Sequence, residues 1–472
     1  MSRTKGLIGN ILVFGAGPFL AKLVQFLLLP LYTYYLSSDA YAEGELLNNF
    51  VDLVYPLVTL CIFEAVFRFS LSSNIAKSDI IVSAALVSGI LLGASGIVCF
   101  GLSIVTHSGR SLLFFVLLLG YSLRQFLAFY ARGAGFVIPF AISGVINAAS
   151  LAVFSYCLIV SFDLSSNGYI LALALSHLAS ATYLVFAAKI PGTLFPAIKG
   201  KLSIDRELCK SMLKYSVPLV GFNLSFWFST MSSRYILAFL AGASVAGLYL
   251  AVIKLSAVIN MIQQVFYYAF QINASAEYEK KGDLAYLSKV YWAFSCLLIV
   301  IASMLMCVMP AIGSLVLQGE FASASKYLPL ALYAAFIDCL FCFFKSFYTA
   351  YKKTIRSALG TAVGAVVNVG VCFLLIPDIG IWGALLALFI SNVVMSAVRA
   401  IDTRSFVPID QRWRSNAVPI LLIGIQVLSL SLEMAQSAEI CIIACLASMA
   451  YLSISYRKEI GRLILLSREN LK

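Results

Sequence analysis

The sequence predicts an all-α polytopic membrane protein with about fourteen transmembrane helices. Three observations carry this. The chain has 472 residues, 61% hydrophobic and 11% charged, with a mean hydropathy of +0.96; soluble domains carry roughly 25% charge. Apolar runs of about 20 residues, the length that crosses a bilayer, recur along the whole chain. The Lys and Arg residues alternate in density from one connection to the next.

The spans are expected at 12–36, 45–67, 80–105, 112–131, 136–162, 168–188, 215–241, 246–271, 289–309, 327–350, 357–377, 380–401, 416–433 and 438–456. The first has no small-residue cleavage site and is followed by further spans, so it reads as a retained helix rather than a signal peptide. Connections are short, and no loop is long enough to fold as a separate domain. The longest polar one, 189–214, follows the sixth span.

With the N-terminus inside, most of the 33 Lys and Arg fall on inner loops and ends, including Arg68, Arg132, Lys210, Lys214, Lys352, Arg356 and Arg399, and on the tail from Arg457 to Lys472. The outer loops hold Arg110 and Lys326 among acids such as Asp39, Glu43 and Asp378. Both termini are then cytoplasmic, and most of the net charge of +12 is topology rather than a nucleic-acid surface.

An internal repeat supports two lobes. Asn147 precedes GYILALALS (168–176) and Asn368 precedes GALLALFIS (383–391); in both, a serine follows the glycine by eight residues. Residues 1–188 form an N-terminal lobe of spans one to six, and 189–214 a basic cytoplasmic linker. Residues 215–404 form a C-terminal lobe of spans seven to twelve, and 405–472 hold spans thirteen and fourteen with a basic tail. Both lobes start inside, so the repeats are parallel.

Charges within spans are functional hypotheses, because a lysine at mid-bilayer costs about 2.5 to 3.5 kcal/mol on insertion scales. The cations are Lys22, Arg124, Arg234, Lys254 and Lys345; the acids are Asp52, Glu64 and Asp338. The cations are expected to face a wet cavity and hold an anion, Arg bidentately and Lys as a point charge. Lys254 and Lys345 could instead snorkel to the nearer surface, and Lys22 could neutralise Asp52 rather than touch a ligand. Asp52 with Asn48 and Asn49, together with Asp338, Gln25 and Asn260, form the polar and coupling set; Asn223, Gln263, Asn368 and Asn392 could extend it. Each single amide could equally hold helices together. Glu64 and Arg68 read as a structural i,i+4 ion pair. Tyr32, Tyr34, Tyr35, Tyr267 and Tyr268 read as interfacial belt residues before sugar-stacking ones.

His107 and His177 form no cluster at metal spacing, and Cys339-x-x-Cys342 lies within an apolar helix, so no metal, catalytic residue or cofactor is expected. Gly15-Ala16-Gly17 lacks the lysine and serine of a phosphate loop.

Several stretches resemble one family: FLLLPLYTYYLSSDAYAEGELL, YSVPLVGFNLSFWF, SSRYILAFLAGASVAGLYLAVIK, LVLQGEFASASKYLPLALYAAF and LIPDIGIWGALLALFIS. Together they span nearly the whole chain and are similar to polysaccharide flippases of the multidrug/oligosaccharidyl-lipid/polysaccharide exporter superfamily, most like the O-antigen repeat-unit type. One departure is Ser233-Arg234, where the family often has aspartate before the arginine; this would leave Arg234 more available to an anion. The resemblance implies two six-helix lobes around a central cavity in a bacterial inner membrane. It implies an undecaprenyl-pyrophosphate-linked oligosaccharide moved to the periplasmic leaflet by alternating access, for O-antigen, lipopolysaccharide or other surface polysaccharide synthesis, and not an enzyme. Membrane lipids and other polysaccharide-assembly proteins are the expected partners, and coupling to H+ or Na+ stays open. The alternatives are a cation-coupled multidrug exporter of the same fold, whose cavity should be acidic, and a membrane polysaccharide polymerase or ligase, which needs larger outer loops.

Overall fold

The computed structural model describes residues 22–71, 75–193, 205–261, 263–264, 284–351 and 353–456. Every regular element among them is helical. The chain divides into two compact units, Met1–Gly247 and Leu248–Lys472.

The first unit contains α1 (Leu29–Tyr35), α2 (Ser38–Thr59), α3 (Ile62–Ser70), α4 (Lys77–Thr106) and α5 (Arg110–Gly133). It continues with α6 (Val137–Ser155), which runs into a π turn (Tyr156–Ser161), then α7 (Ser165–Ala187) and α8 (Arg206–Ala241). α9 (Ala243–Ser256) carries the chain out of it. The second unit holds α10 (Leu284–Val316), a 3-10 turn (Gly319–Tyr327), α11 (Leu328–Ala350), α12 (Thr354–Ile379), α13 (Ile381–Arg404), α14 (Trp413–Ser431) and α15 (Ser437–Ser455).

Ten of these helices, some joined to an adjacent turn, are long and apolar enough to cross a membrane, and α2 with α3 makes an eleventh as one bent span. The remaining three expected spans are accounted for differently. The first begins outside the described residues. The seventh lies in α8, which is long enough but more polar, carrying Asn223, Thr230 and Arg234. The thirteenth is short, Ser415–Ser431. The chain is thus a multi-pass membrane protein, as expected.

Two differences from the sequence reading have local causes. The second span is not straight: Leu60 and Cys61 both adopt positive φ (48° and 52°), and α2 and α3 meet at 68°. Pro56, which cannot donate to the helix, precedes the break by one turn. The unit boundary falls after α8 rather than in the 189–214 linker, because α8 packs against α2 and α3. Much of the linker and the tail beyond 456, with Tyr267 and Tyr268, lie outside the described residues.

Close helix approach depends on a few glycines. A Cβ at Gly44 would run into the ring of Tyr169, joining α2 to α7, and one at Gly383 would meet the Leu375 backbone at 2.6 Å, closing the α12–α13 hairpin. That hairpin turns at Gly380, whose φ of +53° favours glycine.

α14 and α15 dock on α10 through buried polar groups. Gln426 Nε2 donates to the Cys441 carbonyl at 2.8 Å, and Ser303 Oγ donates to Gln426 Oε1 at 3.0 Å. Tyr456 donates to Asn416 Oδ1 at 3.3 Å and its ring packs on Trp292. In lipid such hydrogen bonds, rather than hydrophobicity, select the partner helix.

Candidate functional site

The bend at Leu60 and Cys61 opens space that a straight helix would fill. A cavity of about 270 Å³ lies there, between α2, α3, α5 and α8, lined by Asp52, Tyr55, Cys61, Glu64, Tyr121, Gln125, Asn223 and Trp227 among others. On α5, Gln125 Nε2 donates to Tyr121 Oη at 3.0 Å across one helical turn. The Tyr121 hydroxyl and the Asp52 carboxyl both line the cavity. On α8, Asn223 Nδ2 donates to the Leu219 carbonyl at 2.9 Å and reaches Cys61 Sγ at 3.5 Å.

α8 is held along α2 by three side chains that span about two turns. Trp227 Nε1 donates to the Asn49 carbonyl at 2.8 Å, Arg234 Nη1 to Asn49 Oδ1 at 2.9 Å, and the Tyr235 hydroxyl to the Leu46 carbonyl at 2.8 Å. Arg234 is therefore engaged in spite of the missing aspartate beside it. It is also the cation that acts on Asp52.

The structure brings Asp52 and Glu64 into this one cavity, whose lining contains no Lys or Arg. Arg124 sits one residue from Gln125, about 100° further round α5, and so turns to α7, where its Nε donates to Ser180 Oγ at 3.3 Å. The Glu64–Arg68 ion pair is not formed: Glu64 lines the cavity, while Arg68, one turn further along α3, is exposed. The Arg132 guanidinium stacks over Phe67 at 4.2 Å. Gln25 is exposed, Asn48 is half-buried on α2, and Lys22 is half-buried in the helical stretch before α1.

In the second unit, Asp338 forms an ion pair with Arg399 at 3.7 Å, and Arg399 Nη2 donates to Thr361 Oγ1 at 3.2 Å. This pair joins α11 to α13. Arg399 is 1% exposed, which corrects its expected place at a wetted inner end. Asn260 Oδ1 accepts from Cys339 Sγ at 2.8 Å, and Lys254 is half-buried on α9.

Sequence reasoning missed two buried charges, Arg399 and Glu45. Glu45, 7% exposed, accepts from Tyr169 and Tyr41 in a cluster with Tyr32. Tyr32 is thus a core residue, its hydroxyl 2.9 Å from Ser155, whereas Tyr34 and Tyr35 are exposed as belt residues would be. The signal for Glu45 was its spacing of four from Tyr41 and seven from Asp52 on α2. With these two included, the first unit balances Lys22, Arg124 and Arg234 against Glu45, Asp52 and Glu64. Among the described residues the second places Lys254, Lys345 and Arg399 with Asp338.

A larger groove of about 1260 Å³ runs between α2, α4 and α5. Its walls are apolar (Leu46, Phe50, Leu57, Leu91, Val98, Phe114), and its α2 side extends from Asp39 to Val58, about 28 Å at 1.5 Å per residue. The rim carries Ser37, Ser165 and the Arg110–Glu43 ion pair, 2.9 Å between charges.

No protein-family model and no curated protein matches the chain. Solved structures do. A multidrug resistance MATE family transporter of the MOP superfamily, in an inward-facing conformation, aligns with a TM-score of 0.61 at 15% identity, covering 82% of this chain and 98% of that one. A MOP superfamily transporter from Pyrococcus furiosus, described as having a binding pocket of reverse polarity, aligns at 0.54 and 14%, covering 84% and 95%. The lipid II flippase MurJ, in an inward closed conformation, aligns at 0.60 and 13%, covering 95% of this chain and 100% of that one. The chain therefore has the fold shared by MATE transporters and the lipid II flippase.

Proposed function

We propose that the protein is a flippase that moves an undecaprenyl-pyrophosphate-linked oligosaccharide repeat unit from the cytoplasmic to the periplasmic leaflet of a bacterial inner membrane, for surface polysaccharide synthesis of the O-antigen kind. The apolar groove between α2, α4 and α5 carries this reading. It is long enough to accompany a polyprenyl tail through most of a hydrocarbon core about 30 Å thick, which a small soluble solute would not need. The likeness to solved structures is compatible with it, since the fold is shared by the lipid II flippase and by MATE transporters alike. The sequence resemblance points the same way.

Each unit has its part. In the second, Lys254 and Lys345 are the cations assigned to the pyrophosphate. In the first, Lys22 and Arg234 are the cations assigned to the head group, and Arg124 positions α7. Asp52 and Glu64, with Tyr121 and Gln125, form the polar cavity that takes up a coupling cation, H+ or Na+. The two units move as the substrate passes, in the manner of alternating access.

One observation favours a second reading. The cavity beside Asp52 and Glu64 is acidic and aromatic, which suits a cationic drug in a multidrug exporter. The two readings separate in a deletion strain. Loss of surface glycan, restored by the wild-type gene and not by Lys254→Ala with Lys345→Ala, supports the flippase. Normal glycan with new sensitivity to cationic dyes supports the exporter and overturns the first reading.

A further inference from the structure

We infer that the start of α8 holds an anionic glycerophospholipid of the cytoplasmic leaflet. Arg206, Lys210 and Lys214 are spaced by four residues and are all exposed. They share one face of α8, about 6 Å apart along its axis. Like charges at this spacing repel and weaken a helix unless an anion lies among them. None of the three belongs to an ion pair among the described residues. Glu207 stands three residues before Lys210 but forms no ion pair with it among the described residues.

The same face opens onto a groove of about 1010 Å³ between α8 and α4, which is at the upper end of the size of drug-sized ligand sites. Beyond the cations its lining is apolar: Leu213 and Val217 on α8, Leu86 and Val87 on α4. Val217 and Leu86 are 45% and 38% exposed. Both helices present the same order. Arg206 and Lys77 start them at one side of the membrane, and Val217 and Leu86 lie eleven and nine residues further in. A cationic ladder followed by an apolar trough matches a phosphate followed by acyl chains. Basic pockets of this kind between helices on the cytoplasmic side suit anionic head groups. A free phosphate has no use for the trough, and a neutral phospholipid none for the ladder. The site is separate from the polar cavity at Asp52, and its lipid is independent of the solute the protein moves.

The test is a titration of the delipidated full-length protein in detergent with phosphatidylglycerol, phosphatidylcholine and inorganic phosphate, read by native mass spectrometry. Phosphatidylglycerol should bind with a preference over phosphatidylcholine that falls as salt rises. Each cation is worth about fivefold, so Arg206→Gln with Lys210→Gln and Lys214→Gln should cut the preference about a hundredfold. Leu86→Trp with Val217→Trp fills the trough and should lower binding with the charges intact. Should the triple variant fail to give a monodisperse helical protein, Lys210→Gln alone should cost about fivefold. An unchanged preference in the charge variants overturns the proposal. So does inorganic phosphate displacing the lipid at equal concentration, which would mark a free-anion site.

Discussion

Asn147 Nδ2 donates to Ser176 Oγ at 3.1 Å, and Asn368 Nδ2 reaches Ser391 Oγ at 3.5 Å. Each bond joins a span to the next one in its own unit, α6 to α7 and α12 to α13. Each serine lies eight residues after a glycine that lets the hairpin close: Gly168 faces the Leu158 carbonyl as Gly383 faces Leu375. The repeat that was weak as a pattern of letters is therefore a repeated piece of construction.

Removing either amide should cost similar amounts. Asn147→Leu and Asn368→Leu should each destabilise by about 0.6 to 1.7 kcal/mol, the range for interhelical hydrogen bonds in membranes. The two effects should add, because the sites share no partner. Unfolding in mixed detergent micelles measures both; a marked coupling between them would contradict the separate placement.

Gly383→Ala should destabilise by about 1 to 3 kcal/mol, as overpacking against backbone does. Gly370, with no atom within 4 Å of an added Cβ, is the control: Gly370→Ala should be neutral or stabilising by up to about 1 kcal/mol. Apparent Tm values of the two proteins compared with wild type decide this.

The Asp338–Arg399 pair predicts an asymmetric response. Breaking a buried pair costs about 3 to 5 kcal/mol, and Asp338 is about a third exposed, so Asp338→Asn should fall at or below the low end. Arg399 has Nε and Nη1 buried without hydrogen-bond partners. Adding Arg399→Leu to Asp338→Asn should therefore restore part of the loss. A double variant less stable than both single ones would refute the pairing.

Arg234 and Asn49 should be coupled. A hydrogen bond to a charged group contributes about 1.5 to 3 kcal/mol, and a double-mutant cycle of Arg234→Gln and Asn49→Ala on stability should recover at least half of that. A coupling near zero would mean that Arg234 serves only a ligand.

Lys254→Ala and Lys345→Ala should each lower head-group affinity by about 10- to 150-fold if each lysine makes one charged hydrogen bond, with protein level and membrane insertion unchanged. Binding of a short-chain polyprenyl pyrophosphate to purified protein measures this. Unaltered binding in both would remove them from the site.

The apolar helical spans and the repeat at Asn147 and Asn368 were legible in the sequence. They depend on the length and polarity of consecutive residues, which a bilayer reads one segment at a time. The side each charge faces was not legible. Lipid and helix core are both apolar, so a transmembrane helix shows little contrast between its lipid-facing and buried sides. Only packing decided that Arg124 turns to Ser180 while Gln125 turns to the cavity. The break at Leu60 and Cys61 sends Glu64 toward Asp52 and leaves Arg68 outside, and it also depended on tertiary contacts, because positive φ at Leu and Cys is unfavourable in the isolated chain. The sequence by itself determined which segments form apolar helices. The tertiary structure decided which of them meet.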